Sequence, residues 1–393
     1  MQPKCKPATG HKVAIIGGGP AGMGAAWHLA LAGIEAHIFE RGGELGGKLA
    51  QTIPWERMTK AVWQMEVERF LKNELITVSL GVEMTTEKME ELKEAYDYVI
   101  VAVGTHQPKT IPFTGHELVI PALDYLKAAK SDSPMETGKQ VVVIGAGNVG
   151  CDVAAECYRL GAEEVTLVDI QKPLAFGKER DAAEALGATF KWPVMTKEVT
   201  KEGLVTDKDE LIPAQTVIIS IGDVPSLPFL PESVEVVNIA GGSWVKTDDA
   251  GRTSDEKILA VGDVERPGLA TNALGAAKRT AEYLASVLEE REWKPFAQKL
   301  IQYEALTIAH YDPAEEKGDT ENQQAARCLS CGSCRDCHLC ETICPTHAIS
   351  RREVVANSSE EVSFEYVSDD SKCIACGFCA DTCPCGIWTM RPY

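Results

Sequence analysis

Short apolar runs, each followed by glycines and then by an alanine-rich stretch, set the rhythm of the N-terminal three quarters of this chain. Val13 to Ile16 is apolar; Gly17-Gly18-Gly19-Pro20-Ala21-Gly22 follows; Met23 to Leu31 is rich in alanine; and Glu35 to Phe39 is apolar again. A brief apolar run bounded by glycine reads as a buried strand, and the small-residue stretch after it as a helix. Residues 12–40 therefore predict strand, tight turn, helix, strand. The unit returns at 140–169: Gln140 to Ile144, then Gly145-Ala146-Gly147-Asn148-Val149-Gly150, a helix to about Leu160, and Val165 to Asp169. This is an internal duplication of a nucleotide-binding βαβ unit.

A chain that opens one such domain and inserts a second must return to complete the first. Lys257 to Val261, ending in Gly262-Asp263, reads as the returning strand, followed by a helix through Thr280 and Leu288. The expected organisation is one domain at 10–120 plus 246–292, an inserted domain at 121–245, a charged connector at 293–327 and a last domain at 328–393. The fold class expected is α/β: two Rossmann-like dinucleotide-binding domains, one inserted in the other, plus a small α+β domain. The run Glu87 to Glu94 reads as the solvated face of a helix.

Both glycine turns fit the dinucleotide fingerprint, which needs a preceding strand, a following helix and an acid about 20 residues on. The first has Gly17, Gly19 and Gly22 with Glu40; the second has Gly145, Gly147 and Gly150 with Asp169. The first glycine makes the turn, the second admits a pyrophosphate, and the third lets helix and strand pack closely. The helix N-terminus supplies amide donors, and the acid accepts from a ribose diol.

Composition changes the picture in two respects. The 393 residues, 45% hydrophobic, suffice for two or three ordinary cores, and the net charge of −19 argues against nucleic acid as a partner. No apolar run approaches the roughly 18 residues of a membrane span, and the first residues lack the apolar stretch of a signal peptide, so a cytoplasmic protein is expected.

The second respect is cysteine. Of 14 cysteines, eleven lie between Cys328 and Cys385. Cys334, Cys337, Cys340, Cys344 and Pro345 form a C-x2-C-x2-C-x3-C-P run, and Cys373, Cys376, Cys379, Cys383 and Pro384 repeat it. Such runs are those of a bacterial ferredoxin and hold two [4Fe–4S] clusters, with the fourth cysteine of each run serving the other cluster, so the small α+β domain at 328–393 is expected to be of bacterial-ferredoxin type. The expected ligand sets are Cys334, Cys337, Cys340 and Cys383 for one cluster, and Cys373, Cys376, Cys379 and Cys344 for the other. Cys328 and Cys331 extend the x2 spacing upstream; the frame beginning at Cys334 is preferred because x3-C-P follows it, and the extra pair stays open between a metal role and a structural or redox one. Cys385 reads as a bystander. Cys151 and Cys157 lie six apart on a helix and read as buried packing residues, not a redox dithiol. His338 is open between tuning a cluster and being a solvated loop histidine.

On these motifs the chain, over about residues 10–290, resembles the glutamate synthase small-subunit type of flavin–pyridine-nucleotide oxidoreductase, related to the flavin half of dihydropyrimidine dehydrogenase. The resemblance rests on Glu40 to Leu49, Ile53-Pro54-x-x-Arg57, Val101 to Thr105, and Gly262-Asp263. It implies FAD in the first site, held by Gly17, Gly19, Pro20, Ala21, Gly22, Glu40, Arg41, Gly47, Arg57, Ala102, Gly104, Gly262, Asp263 and Thr271. It implies a nicotinamide dinucleotide in the second, held by Gly145, Gly147, Asn148, Val149, Gly150, Asp169 and Gly222. Where NADPH-using members place arginines, this chain has Asp169-Ile170-Gln171-Lys172. A carboxylate there favours a free 2′-hydroxyl, so NAD(H) is expected as substrate, with Lys172 and Arg180 the residues that could still reach a phosphate. Family members often begin with a cysteine-rich segment; here Cys5 alone precedes the first strand, which weakens an amidotransferase-linked role.

The expected activity is a flavin-dependent NAD(H) oxidoreductase that exchanges hydride with NAD(H) and passes single electrons between flavin and clusters. The flavin carries the chemistry, so no catalytic side chain is assigned. Such a relay has no substrate end of its own. A redox partner protein, or a catalytic subunit with its own iron–sulfur clusters, is expected in a hetero-oligomer. The layout resembles flavin subunits of tungsten aldehyde oxidoreductase and benzoyl-CoA reductase complexes, with slight preference for the tungsten setting. The alternatives are a stand-alone ferredoxin:NAD+ reductase, a glutamate synthase small subunit, and a cofactor-bearing scaffold; NADH bleaching of a flavin separates the last from the rest. Direction of flow and electron bifurcation stay open.

Overall fold

The computed structural model describes residues 5–131, 133–239, 241–295, 334, 336–355, 362–383 and 385–390. Cys328, Cys331, Pro384 and most of the connector 293–327 lie outside the described residues. Those described fall into two compact units, one up to 295 and one from 334 onward.

The larger unit opens with strand β1 (Lys12–Ile16), helix α1 (Pro20–Leu31), β2 (Glu35–Glu40), α2 (Lys48–Gln51), α3 (Lys60–Leu71), β3 (Ile76–Leu80), α4 (Thr86–Ala95) and β4 (Tyr98–Val101). A linker strand β5 (Gln107–Pro108) leads to β6 (Ile120–Pro121), α5 (Ala122–Ala129), β7 (Gln140–Ile144), α6 (Asn148–Arg159), β8 (Glu164–Val168), α7 (Lys178–Ala185) and β9 (Thr189–Lys191). Then come β10 (Thr196–Thr200), β11 (Gly203–Thr206), β12 (Leu211–Pro213), β13 (Thr216–Ile219), a second linker strand β14 (Asp223–Val224), β15 (Val236–Ile239), β16 (Gly242–Val245), β17 (Ile258–Ala260) and α8 (Ala270–Leu288).

Two parallel sheets result, ordered β17-β4-β1-β2-β3 and β6-β13-β7-β8-β9. The central strands β1, β4, β7, β13 and β17 are apolar at their buried positions because both faces are covered. In β1, Val13 and Ile15 enter the core beneath α1 and α8, while Ala14 and Ile16 face Met89 and Leu92 of α4. In the second sheet, Val141 and Val143 pack with α5 and α6, while Val142 and Ile144 meet Val199, Leu204 and Ile212 of the antiparallel sheet β10-β11-β12. This alternation is the two-residue period of a strand, and each branched chain so buried contributes about 1.5–3 kcal/mol. The chain leaves the first sheet and comes back at β17, and the linker strands β5 and β14 pair antiparallel where it crosses in each direction. The acidic run of α4 is solvated apart from Met89 and Leu92, with Thr85 capping its start. Cys151 and Cys157 are fully buried on α6, and burial drives their thiols up, to about 11 and about 12. Neither is a ready nucleophile.

In the smaller unit, helix α9 (Leu339–Ile343), the antiparallel hairpin β18 (Ile349–Val355) and β19 (Val362–Ser368), and helix α10 (Phe378–Thr382) follow in order. The two cysteine runs fold alike. Each helix starts after a left-handed residue, His338 at φ 59° and Gly377 at φ 80°. Each ends on a cysteine in extended conformation, Cys344 (φ −68°, ψ 111°) and Cys383 (φ −70°, ψ 110°). Among the described residues no helix is long and apolar enough to cross a membrane.

Candidate functional site

The two glycine turns are geometric twins. Gly17 and Gly145 both have φ 106°, a left-handed conformation that glycine adopts without a Cβ penalty. Gly22 and Gly150 sit one helical turn on, where an added Cβ would come 1.9 Å from the Gly17 oxygen and 2.2 Å from the Gly145 oxygen. Helix and strand can approach this closely because those positions have no side chain. Pro20 opens α1, and no acid occupies the first turn of α1 or α6, which leaves both positive helix ends free for an anion.

The two acids are also placed alike. Glu40 accepts from the Gly18 amide (2.6 Å) and the Gly42 amide (2.6 Å); Asp169 accepts from the Ala146 amide (2.9 Å) and the Gln171 amide (3.2 Å). Each carboxylate thus ties the end of the second strand to the residue after the first glycine, and keeps lone pairs for a ribose. Asn148 accepts from the Phe176 amide (3.1 Å) and donates to Glu179 (3.3 Å), which fastens the loop before α7 to the second turn; Val149 is exposed beside it. Lys172 is exposed, and Arg180 is engaged with Glu184 at 2.8 Å.

The carboxyl ends of both sheets carry the remaining assigned residues. Ala102 is buried under Gly17, whose Cβ would meet its oxygen at 2.5 Å; Ser220 holds the same place under Gly145, at 2.2 Å. Two residues further, Gly104 (φ 64°) and Gly222 (φ 93°) turn the chain. Asp263, after Gly262 at φ 83°, accepts from the Gly268 amide (3.1 Å) at the approach to α8, whose first turn exposes Thr271. Burial raises the Asp263 carboxyl, with the Lys48 ammonium opposing the rise. Arg41 is exposed at the loop after β2.

Four residues here have no site role on the sequence alone, although Lys48 and Thr105 lie within two of the resembling segments: Lys48, Thr105, His106 and Asp223. Lys48 Nζ donates to Thr105 Oγ1 (2.8 Å) and to Asp223 Oδ2 (2.9 Å). His106 is kept neutral near pH 7 by burial and by the Lys48, Arg41 and Lys127 charges, which bring its pKa to about 4. One sequence signal could have found Asp223: Ile221-Gly222-Asp223 repeats the pattern of Val261-Gly262-Asp263.

The residues present fit dinucleotides. An added Cβ at Gly147 would meet nothing within 4 Å, and one at Gly19 would meet only the Gly47 Cα at 4.0 Å, so both second glycines face open space at a helix start. Two buried polar atoms at the sheet ends, His106 Nδ1 and Ser220 Oγ, have no hydrogen-bond partner among the described residues, a costly state that a bound polar ligand relieves.

Arg57, assigned to FAD by resemblance, is turned toward the second sheet. It reaches both carboxylate oxygens of Asp152 on α6 (2.9 Å) and pairs with Glu179 on α7 at 2.5 Å. Lys130, just after α5, donates to the Ile53 oxygen (2.6 Å) and lies 3.6 Å from the Trp55 ring centre. Residues 53–57 therefore strap the loop after α2 to α5, α6 and α7. Burial raises the Asp152 carboxyl to about 6 against the pull of Arg57. Arg57→Met leaves that carboxylate without its cation. Arg57 is itself 42% exposed, so solvent screening reduces the cost from the 3–5 kcal/mol of a fully buried pair to about 1–3 kcal/mol. Urea unfolding of the purified chain checks this; an unchanged midpoint contradicts it.

In the smaller unit, Cys334, Cys337, Cys340 and Cys383 line one cavity, with Tyr366, Ile387 and Trp388 in its wall. Burial raises the Cys340 thiol, and the charges of Cys337 and Cys383 add to the rise, while Trp388 and the Glu341 amide oppose it. In the second run burial raises the Cys379 thiol, and Cys376 and Cys373 add to the rise. Cys373 and Cys376 are exposed. Amides point at the sulfurs of the fourth cysteine of each run, Ala348 to Cys344 (3.2 Å) and Ile387 to Cys383 (3.4 Å). Among the described residues no three cysteine, histidine or acidic side chains converge on a single metal ion. A four-iron cluster takes one thiolate per iron around its outside, so ligands spaced around a cavity suit it. Cys385, read as a bystander, is buried in the same wall. His338 contacts Glu341 (2.9 Å) and Tyr366 (3.0 Å).

Comparison with known proteins places these features. Residues 11–277 match the family model "Pyridine nucleotide-disulphide oxidoreductase", and residues 333–387 match "4Fe-4S dicluster domain". The chain is 27% identical to the "Putative oxidoreductase YgfK" of Escherichia coli O157:H7 over 99% of its own length and 40% of that protein's. It is 28% identical to the "NADPH-Fe(3+) oxidoreductase subunit beta" of Geobacter sulfurreducens, covering 80% of this chain and 55% of that one. It is 31% identical to the "Glutamate synthase [NADPH] small chain" of Halomonas elongata, covering 72% and 69%. The chain thus spans about two-fifths to half the length of the first two relatives.

Proposed function

Because the chain belongs to the pyridine nucleotide-disulphide oxidoreductase family, an oxidoreductase with an appended iron–sulfur domain, we propose that it is an electron-transfer subunit linking NAD(H) to a partner protein through FAD and two [4Fe–4S] clusters. The observation that carries this reading is the pairing of two open glycine turns in one unit with a cysteine-lined cavity in the other. We assign residues 10–120 and 246–292 to FAD, 121–245 to NAD(H) and 328–393 to the clusters. When bound, FAD supplies the conversion between two-electron and one-electron steps, and the clusters supply one-electron carriage.

The chain's own residues bind and orient. The α1 and α6 N-termini receive the two pyrophosphates. Glu40 and Asp169, each fixed by two backbone amides, receive the ribose diols. NADH gives up a hydride and becomes NAD+; the two electrons leave singly and the proton passes to solvent, so no side-chain acid or base is required. Relatives named as subunits support a hetero-oligomer, and by the layout we favour a tungsten aldehyde oxidoreductase as the partner; a natural partner free of tungsten overturns that part. Cysteine runs that ligate clusters rather than form disulfides suit a reducing, cytoplasmic setting.

Nucleotide choice rests on Asp169. Two of the relatives carry NADPH in their names, whereas a carboxylate at this position repels a 2′-phosphate. NADH is expected to bleach the flavin at least tenfold more effectively than NADPH, the ~1.5 kcal/mol of one charge-assisted hydrogen bond. Asp169→Arg is expected to reverse the order. Anaerobic titration with each nucleotide measures this, and equal bleaching by NADPH in the unmodified protein sinks the NAD(H) reading.

A further inference from the structure

Thr105 and Asp223 occupy the same place in the two halves of the duplicated fold. β4 ends at Val101 and β13 at Ile219, and each strand lies beside the strand that feeds a glycine turn. Thr105 and Asp223 both stand four residues beyond, each directly after a left-handed glycine, Gly104 or Gly222. The carboxyl ends of parallel strands are where nucleotides bind in such sheets. Lys48 Nζ joins these twin positions, at 2.8 and 2.9 Å. It does so from the first residue of α2, directly after Gly47, whose Cβ would come 3.1 Å from the Gly19 Cα of the first glycine turn. Thr105 is 2% exposed, and the Lys48 and Asp223 side chains 28% and 15%. The ammonium is thus partly desolvated, which strengthens its field. A second carboxylate, Asp263, also feels it.

We propose that Lys48 is a positioning and charge-setting residue where the two bound nucleotides meet: it joins the nucleotide-facing ends of the two sheets and sets the potential of the flavin. This rests on the proposed FAD site. A reduced flavin ring carries more negative charge than an oxidised one, so a nearby cation favours reduction, and the Asp223 carboxylate partly cancels that cation. The two members of one ion pair should then act with opposite sign.

The test uses full-length protein purified with its flavin and equilibrated anaerobically with a redox dye of known potential. In Lys48→Met the ratio of reduced to oxidised flavin is expected to fall about tenfold, about 30 mV for a two-electron couple. In Asp223→Asn it is expected to rise by a similar factor, and Lys48→Arg is expected to stay within about twofold of the unmodified protein. A role in holding the fold together alone predicts that Lys48→Met and Asp223→Asn shift the ratio in the same direction or not at all; either result overturns the proposal. If Lys48→Met loses its flavin, Asp223→Asn decides: a rise supports the proposal and no rise overturns it. Unmodified protein that holds no FAD overturns the parent reading and this one with it, an outcome distinct from normal FAD content with unmoved potentials.

Discussion

Cys383→Ala is expected to destroy the cluster of the Cys334 run and spare that of the Cys373 run, although Cys383 lies four residues from Cys379 and more than forty from Cys340. The physical reason is the shape of the two cysteine turns. α9 and α10 are short, pack against each other, and each ends by throwing its last cysteine into extended backbone. That geometry places Cys383 in the wall of the cavity lined by Cys334, Cys337 and Cys340. Without it, three thiolates are left for four irons. Iron content should fall from roughly eight to roughly four per chain. The electron paramagnetic resonance signal lost should be the one lost in Cys337→Ala. If it is instead the signal lost in Cys373→Ala, the ligands do not cross over. One-electron transfer to the partner should fail in either case, while bleaching of the flavin by NADH persists.

An equally large effect is expected from a single methyl group. Gly150→Ala places a Cβ 2.2 Å from the Gly145 oxygen, a backbone atom that cannot rotate away. α6 must lift from β7, and its N-terminus moves off the position where a pyrophosphate would meet it. Overpacking of this kind costs about 1–3 kcal/mol; against backbone the upper figure applies, about a hundredfold in affinity. Gly150→Ala should therefore keep its flavin but be bleached by NADH about a hundredfold less effectively. Gly22→Ala, with its Cβ 1.9 Å from the Gly17 oxygen, should instead be purified without flavin. Absorbance per chain and anaerobic NADH titration read both. A Gly150→Ala protein bleached like the unmodified one would remove the second glycine turn from the nucleotide site.

The sequence by itself determined the parts of this protein that are local along the chain. A glycine turn needs its three glycines within six residues and its acid at the end of the next strand, and Glu40 and Asp169 stand against the Gly18 and Ala146 amides as that spacing requires. The α/β class and the return of the chain to its first sheet were legible for the same reason: a parallel strand buried on both faces must be apolar where it is buried, and β1, β4, β7 and β17 are. The tertiary structure alone decided where the long side chains between the halves would go. Lys48 meets Thr105 and Asp223 across 57 and 175 residues of chain, and Arg57 meets Asp152 across 95. No periodicity or spacing encodes such pairs. They form because two separately legible sheets are brought together, and charges that would each be fully solvated on an isolated lobe become partly desolvated neighbours.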